Sequence, residues 1–196
     1  TSNTSNPNAS KFLREMERGT VFWNAKELED PNGCPLAALI YKRKWDVAME
    51  RLLSFPEETI LWSIQSEHRY LPIHYACMQH APLDLIQELT EIHPYGLALT
   101  CQEEDRTALH IACDRQAPYP LIQALLDVYA DAASHMDDTG CLPVDLVWSQ
   151  ARKKNPMSSV AMSSSSSSPN WTIIEALLRA YPQGSKENTQ MKKIEE

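Results

Sequence analysis

The chain copies itself. Leu71-Pro72-Ile73-His74-Tyr75-Ala76-Cys77 returns as Thr107-Ala108-Leu109-His110-Ile111-Ala112-Cys113, so that His74 and His110, Ala76 and Ala112, and Cys77 and Cys113 each lie 36 residues apart. A weaker copy follows at Leu142-Pro143-Val144-Asp145-Leu146-Val147, where Pro143 is 35 residues after Ala108. Another precedes at Cys34-Pro35-Leu36-Ala37-Ala38-Leu39, 37 residues before Leu71. A period of this length belongs to small supersecondary units laid side by side. No such unit can bury its apolar face alone, so each buries it against its neighbours.

Each unit follows the same grammar. Pro72 to Gln79 reads as a short helix and Leu83 to Ile92 as a longer one striped by Leu85, Ile86 and Leu89. Ala108 to Arg115 pairs with Leu121 to Tyr129, and Pro143 to about Arg152 pairs with Trp171 to Tyr181. Ala81-Pro82 and Ala117-Pro118, again 36 apart, mark the turn within the pair. The first unit opens at the Asn32-Gly33 turn signal. It continues through Leu36, Leu39 and Ile40 to a second stripe of Trp45, Val47, Ala48, Leu52 and Leu53. Long helices end before Pro56, at His93-Pro94 and at Tyr181-Pro182, because proline cannot continue a helix and disfavours helical geometry in the residue before it. The expected fold is an all-α solenoid of stacked helix pairs with short hairpin-like connecting loops.

Composition divides the rest of the chain. Residues 1–10 are rich in Asn and Ser and are expected to be disordered. Residues 11–31 carry Phe12, Leu13 and Met16 at helical spacing, then Phe22, Trp23, Ala25 and Leu28, and are expected to form an N-terminal helical cap on the first unit. About four repeats span 32–182, the last interrupted over 153–170 by serine runs with nothing to bury. A charged tail occupies 183–196. Ser168-Pro169 in the insert offers a proline-directed kinase a site. A start at Thr1 rather than Met is expected of an excerpt from something longer.

These residues resemble the ankyrin repeat, whose signature is Thr-Pro-Leu-His-x-Ala. Thr107-Ala108-Leu109-His110-Ile111-Ala112 and Leu71-Pro72-Ile73-His74-Tyr75-Ala76 carry the likeness, and Asp137-x-x-Gly140-x-Leu142-Pro143 is similar to the family's hairpin lead-in. The structural motif residues are Pro72, His74, Ala76, Thr107, His110, Ala112, Gly140 and Pro143. Thr107 can cap a helix start, and proline at the first helical position loses no bond. His110 can tie loop backbone to helix, and Ala76 and Ala112 let helices approach closely. Leu71 and Leu142 lack the capping hydroxyl, Ala37 and Asp145 stand where histidine is expected, and the period exceeds the family's usual value of about 33.

A net charge of -8 argues against a nucleic-acid surface, which needs a basic stripe, and against an anionic-lipid-seeking patch. Five cysteines, an odd number with two at matching repeat positions, suit buried small residues in a reducing compartment better than a disulfide framework. No apolar run approaches a spanning helix. With no charged-then-apolar secretory leader at the start, an intracellular, cytoplasmic protein is expected, the nucleus left open.

Chemistry finds no foothold in the motifs. His74-x-x-Cys77-x-x-His80, with His68 nearby, has metal-ligand residue types. Positions i, i+3 and i+6 do not share one tight helix face, however, and His74 and Cys77 recur inside the repeat grammar. With five glycines there is no phosphate-cradling loop and no Gly-x-Ser-x-Gly elbow. No catalytic residue, metal or cofactor is expected.

Binding remains. The resemblance implies recognition of a protein through hairpin tips and the exposed positions of the short helices. Those map to Glu67, His68, Tyr70, Met78 and Gln79, then to Glu103, Glu104, Arg106, Asp114 and Arg115, and finally to Asp138, Thr139, Ser149 and Gln150. A merely solvated face is the plain alternative for any one of them. The expected role is a non-catalytic scaffold or adaptor, acting as a monomer on a protein partner. The competing readings are a targeting or regulatory ankyrin segment of a larger enzyme, and a Cys/His metalloprotein.

Overall fold

The computed structural model describes residues 36–61, 69–101, 104–154 and 169–181. The expected disordered segment, the 11–31 cap, the Asn32-Gly33 turn, Glu67, His68, Glu103, the serine runs and the charged tail lie outside the described residues.

Prolines set the helix starts. Pro72, Pro143 and Pro169 each occupy a first helical position, where a missing N–H costs no hydrogen bond. Pro82 and Pro118 stand just ahead of long helices with extended backbone, ψ 146° and 148°. The resulting pairs are α1 (Leu36–Tyr41) with α2 (Trp45–Ser54), and α3 (Pro72–Gln79) with α4 (Leu83–Ile92). They continue as α5 (Ala108–Asp114) with α6 (Tyr119–Val128), and α7 (Pro143–Lys154) with α8 (Pro169–Ala180). There is no β-strand among the described residues.

The long helices stop in one way. Phe55, His93 and Tyr129 take φ of -137°, -137° and -144°, and each leads into a 3-10 turn, at Pro56–Ile60, Pro94–Leu97 and Ala130–Ser134. Proline enforces the geometry on Phe55 and His93. Tyr129 adopts it before an alanine, so at that unit the packing imposes what sequence imposes at the others.

Each short helix packs on the next short helix, and each long helix on the next long one. The chain is therefore an all-α, ankyrin-like solenoid in two layers. Its core is one continuous cluster running between the layers from Leu36 to Leu177. Ala76 and Ala112, both fully buried, lie on short helices that pack on one another.

Several expectations shift. In α2, Ala48 and Leu52 are buried, but Val47 is 43% exposed and Leu53 62% exposed, so neither belongs to the core stripe. At about 100° per residue they lie more than a quarter-turn from the line through Ala48 and Leu52. Apolar composition alone did not separate them. The third long helix begins at Tyr119, two residues before the expected Leu121, because Pro118 rather than the first leucine sets its start.

Candidate functional site

Two histidines fasten the units. His74 Nδ1 accepts the Leu71 N–H at 3.0 Å, and its Nε2 donates to the Leu99 carbonyl at 3.2 Å. His110 Nδ1 takes the Thr107 hydroxyl at 2.9 Å and the Thr107 N–H at 3.3 Å, while Nε2 donates to the Cys141 carbonyl at 3.2 Å. Each ring thus caps its own helix and holds the loop that leads to the next. Both need a neutral ring with a free lone pair on Nδ1. Burial lowers both to a pKa of about 4, against smaller support for the charged form from the bonded carbonyls.

The weaker units make the same capping bond by other means. Asp145 Oδ2 accepts the Leu142 N–H at 3.0 Å, the bond that histidine makes elsewhere. In the first unit Ala37 has no such group, and Glu58 supplies it from the 3-10 turn after α2, accepting the Leu36 N–H at 2.7 Å. Arg51 pairs with that carboxylate and lies over the Phe55 ring, 4.1 Å from its centre.

The connecting tips are bonded to one another. Asp137, with a fully buried side chain, accepts from Thr139 N at 3.0 Å and Cys141 N at 2.9 Å, both on Oδ1, and from Arg106 Nε on Oδ2 at 3.2 Å. Burial would raise its pKa, but the donors from Thr139, Cys141 and Arg106 outweigh it and hold the carboxyl below its ordinary value. Arg106 also reaches Glu104 Oε2 at 3.3 Å, and the Glu104 carbonyl accepts the Asp138 N–H at 3.1 Å. Gly140 has φ 76°, and Asp105, 35 residues earlier, takes φ 50° at the equivalent place.

A second line of ties runs where short helix turns into long. Arg43, His80 and Gln116 occupy equivalent positions, and all three are left-handed, with φ of 56°, 53° and 57°. Each reaches the following unit. Arg43 Nε donates to Gln79 Oε1 at 2.9 Å, His80 Nε2 to the Arg115 carbonyl at 2.9 Å, and Gln116 Nε2 to Gln150 Oε1 at 3.5 Å. Gln150 in turn donates to Asp114 Oδ1 at 3.1 Å.

The expected binding residues divide along these lines. Gln79, Asp114 and Gln150 are engaged in the ties just described, Arg106 and Glu104 join the tips, and the Thr139 hydroxyl is held by Asp137. Ser149 donates to the Leu146 carbonyl at 2.8 Å, and Asp138 is exposed on its tip. Tyr70 and Met78 are half-buried against the core, and the Arg115 side chain is 55% exposed beside Asp114.

Tyr70 meets Tyr75 edge-on at 5.4 Å between ring centres, and Tyr75 meets Tyr41 at 5.7 Å. Burial, then the charge of Glu104, pushes the Tyr70 phenol up to about 12, and Arg115 opposes this. Tyr70 therefore stands within electrostatic reach of both the hairpin and the end of α5. Tyr and Arg are residue types that concentrate energy at protein interfaces, and Met78 is half-buried on the same short helix as Tyr75. Tyr41, 48% exposed, was missing from the sequence-based set, although it lies 37 residues before Met78 and the repeat register carried into the first unit would have found it.

A crevice lined by Cys113, Gln116, Ala117, Ile122, Val147, Gln150 and Ile173 has about 10 Å³ of free space, enough for about one water. Cys77 and Cys113 are buried, and burial raises both thiols far from the reactive range. Cys101 and Cys141 are free thiols as well. No helix among the described residues is long and apolar enough to cross a membrane.

No family model and no curated protein matches the chain. Among solved structures, the ankyrin repeat domain of Bcl-3, a member of the IκB protein family, is similar at 17% identity and a TM-score of 0.48, over 76% of this chain and 72% of that one. The internal repeat geometry, not that likeness, carries the fold.

Proposed function

We propose that this protein is a non-catalytic interaction module, a scaffold or adaptor that binds a protein partner as a monomer inside the cell. The partner lies along the exposed face of the short helices and the tips beside them. The observation behind this reading is that the partly exposed Tyr41 and Tyr70 are each held edge-to-face on the buried Tyr75, on the side of the array that also carries the half-buried Met78 and the exposed Arg115. Pre-ordered aromatics lose little freedom on binding, so their burial converts efficiently into affinity.

Of the expected contact residues, Gln79, Glu104, Arg106, Asp114, Asp138, Thr139, Ser149 and Gln150 form the polar surround, while Tyr70, Met78 and Arg115 are the anchors, with Tyr41 added; Glu67, His68 and Glu103 lie outside the described residues. Affinity capture with the wild type beside a Tyr41→Ala, Tyr70→Ala, Met78→Ala, Arg115→Ala variant tests the face. Arg106 is spared because it holds Asp137. A specific partner should be weakened at least tenfold by the variant. A partner retained equally by both proteins would refute the choice of face.

A further inference from the structure

Charge is sorted along the array, although the chain as a whole carries -8. Lys42, Arg43 and Lys44 fill the turn between α1 and α2, and all are exposed. The exposed Arg115 follows α5 in the equivalent turn, and α7 ends on Arg152-Lys153-Lys154. The ties from Arg43 to Gln79, from His80 to the Arg115 carbonyl and from Gln116 to Gln150 set these turns side by side on one edge. The connecting tips, at the other end of the short helices, carry Glu104, Asp105, Asp137 and Asp138 against Arg69 and Arg106.

The acids nearest the basic edge are Asp114, Asp46 and Asp84. Asp114 is held by Gln150 at 3.1 Å and lies beside Arg115. Asp46 and Asp84 belong to the first turns of α2 and α4, in the other layer. The balance along this edge is therefore positive where that of the chain is negative. Helix stability accounts for only part of the pattern. Arg115 follows the C-terminus of α5, where a cation complements the helix dipole. Lys44 does the reverse: it is the N-cap residue of α2, makes no side-chain capping bond, and sets a cation at the positive end of that helix.

We infer that the partner bound on the short-helix face is an acidic polypeptide segment, whose carboxylates meet Lys42, Lys44 and Arg115 while its apolar side chains meet Tyr41 and Tyr70. The inference rests on the interaction face proposed above and names the chemistry of what that face binds. Tyr41 adjoins Lys42 and Met78 adjoins Gln79, so the anchors and the basic turns form one strip. Arg115 joins its two halves: its carbonyl is tied to His80, and its charge reaches the Tyr70 phenol. At physiological salt a charge is felt over about 8 Å, so a short acidic segment on the strip meets mainly the local cations. A nucleic-acid duplex or an anionic membrane extends beyond the strip and meets the acidic tips and the acids of the long helices as well. The sorting that attracts a carboxylate-rich segment thus disfavours those larger polyanions.

Selection of displayed random short peptides on the full chain tests this. Peptides enriched on the wild type should carry net negative charge together with aromatic or aliphatic side chains. A Lys42→Glu, Lys44→Glu, Arg115→Glu variant leaves the bond from Arg43 to Gln79 in place. It should bind those peptides at least tenfold more weakly and enrich basic ones instead. A neutral or basic consensus on the wild type overturns the inference, as does equal binding of the acidic peptides by the charge variant. Tighter binding of duplex DNA or of phosphatidylserine vesicles than of the enriched peptides overturns it too. A Tyr41→Ala, Tyr70→Ala variant separates the two claims. Neutral peptides that this variant loses would keep the face and refute the acidic partner, whereas acidic peptides that it binds as well as the wild type would refute the face itself. Where the charge variant fails to fold, the charge of the peptides enriched on the wild type decides.

Discussion

His80 Nε2 donates to the carbonyl oxygen of Arg115, 35 residues on, at 2.9 Å, and His80 does so from a left-handed backbone. Arg43 and Gln116 repeat both features in the units on either side. A non-glycine residue in that region carries a strain on the order of 1 kcal/mol. Glycine would remove the strain and the tie together. At all three turns the chain keeps a side chain that bridges to the next unit.

The two terms nearly balance, so His80→Gly should change stability by less than about 1 kcal/mol in urea denaturation. His80→Val keeps the strain, worsens it by β-branching and loses the bond. A loss of about 2 kcal/mol is expected. Equal midpoints for the two variants would show that the backbone at His80 is not constrained.

Asp137 collects four donors in a buried site, counting the Thr139 hydroxyl with Thr139 N, Cys141 N and Arg106 Nε. Asp137→Ala orphans them at once and should cost about 3 kcal/mol. Arg106→Ala leaves the carboxylate its three uncharged donors, so a smaller loss of about 1–2 kcal/mol is expected. Thermal or urea unfolding of the pair checks the order; a costlier Arg106→Ala would contradict it.

Acid should loosen the array well before it protonates ordinary carboxylates. His74 and His110 sit near 4 when folded and near 6.5 when unfolded, so between those values the unfolded chain binds the extra protons. Their contribution is complete above pH 6.5, falls as pH drops, and is lost by about 4. At pH 5 each costs about 2 kcal/mol relative to pH 7. The depressed Asp137 adds a loss in the same direction at lower pH. Urea midpoints from pH 7.5 to 4.5 test this, and a His110→Gln variant should show a shallower decline. A flat profile would mean that the rings are not held neutral.

Leu52 and Leu53 are neighbours with opposite fates, one fully buried and one 62% exposed. Leu52→Ala should cost about 2–4 kcal/mol, whereas Leu53→Asp should stay within about 0.5 kcal/mol. Circular dichroism melts distinguish them, and comparable losses would place Leu53 in the core.

Much of this arrangement was legible in the residues. The 36-residue spacing of His74 and His110 announced stacked units, and the prolines at 72, 82, 118 and 143 marked where helices begin. Both signals are local, acting through backbone sterics and the order of apolar residues along one chain. The candidate face was half legible: Tyr70, Met78 and Arg115 came from the repeat register, but Tyr41 did not, because the first unit lacks the histidine that fixes that register.

Sequence by itself determined the unit and its repetition, since each unit's helix pattern is written within some 36 consecutive residues. Tertiary structure alone decided which polar groups meet across units. Nothing in the chain pairs Arg106 with Asp137 or Gln150 with Asp114, 31 and 36 residues apart. Nor does it turn Leu53 outward or give Tyr129 the stop that proline imposes on His93. Those outcomes follow from how far one unit is shifted and rotated against the next. That geometry emerges only when the apolar faces have closed on each other.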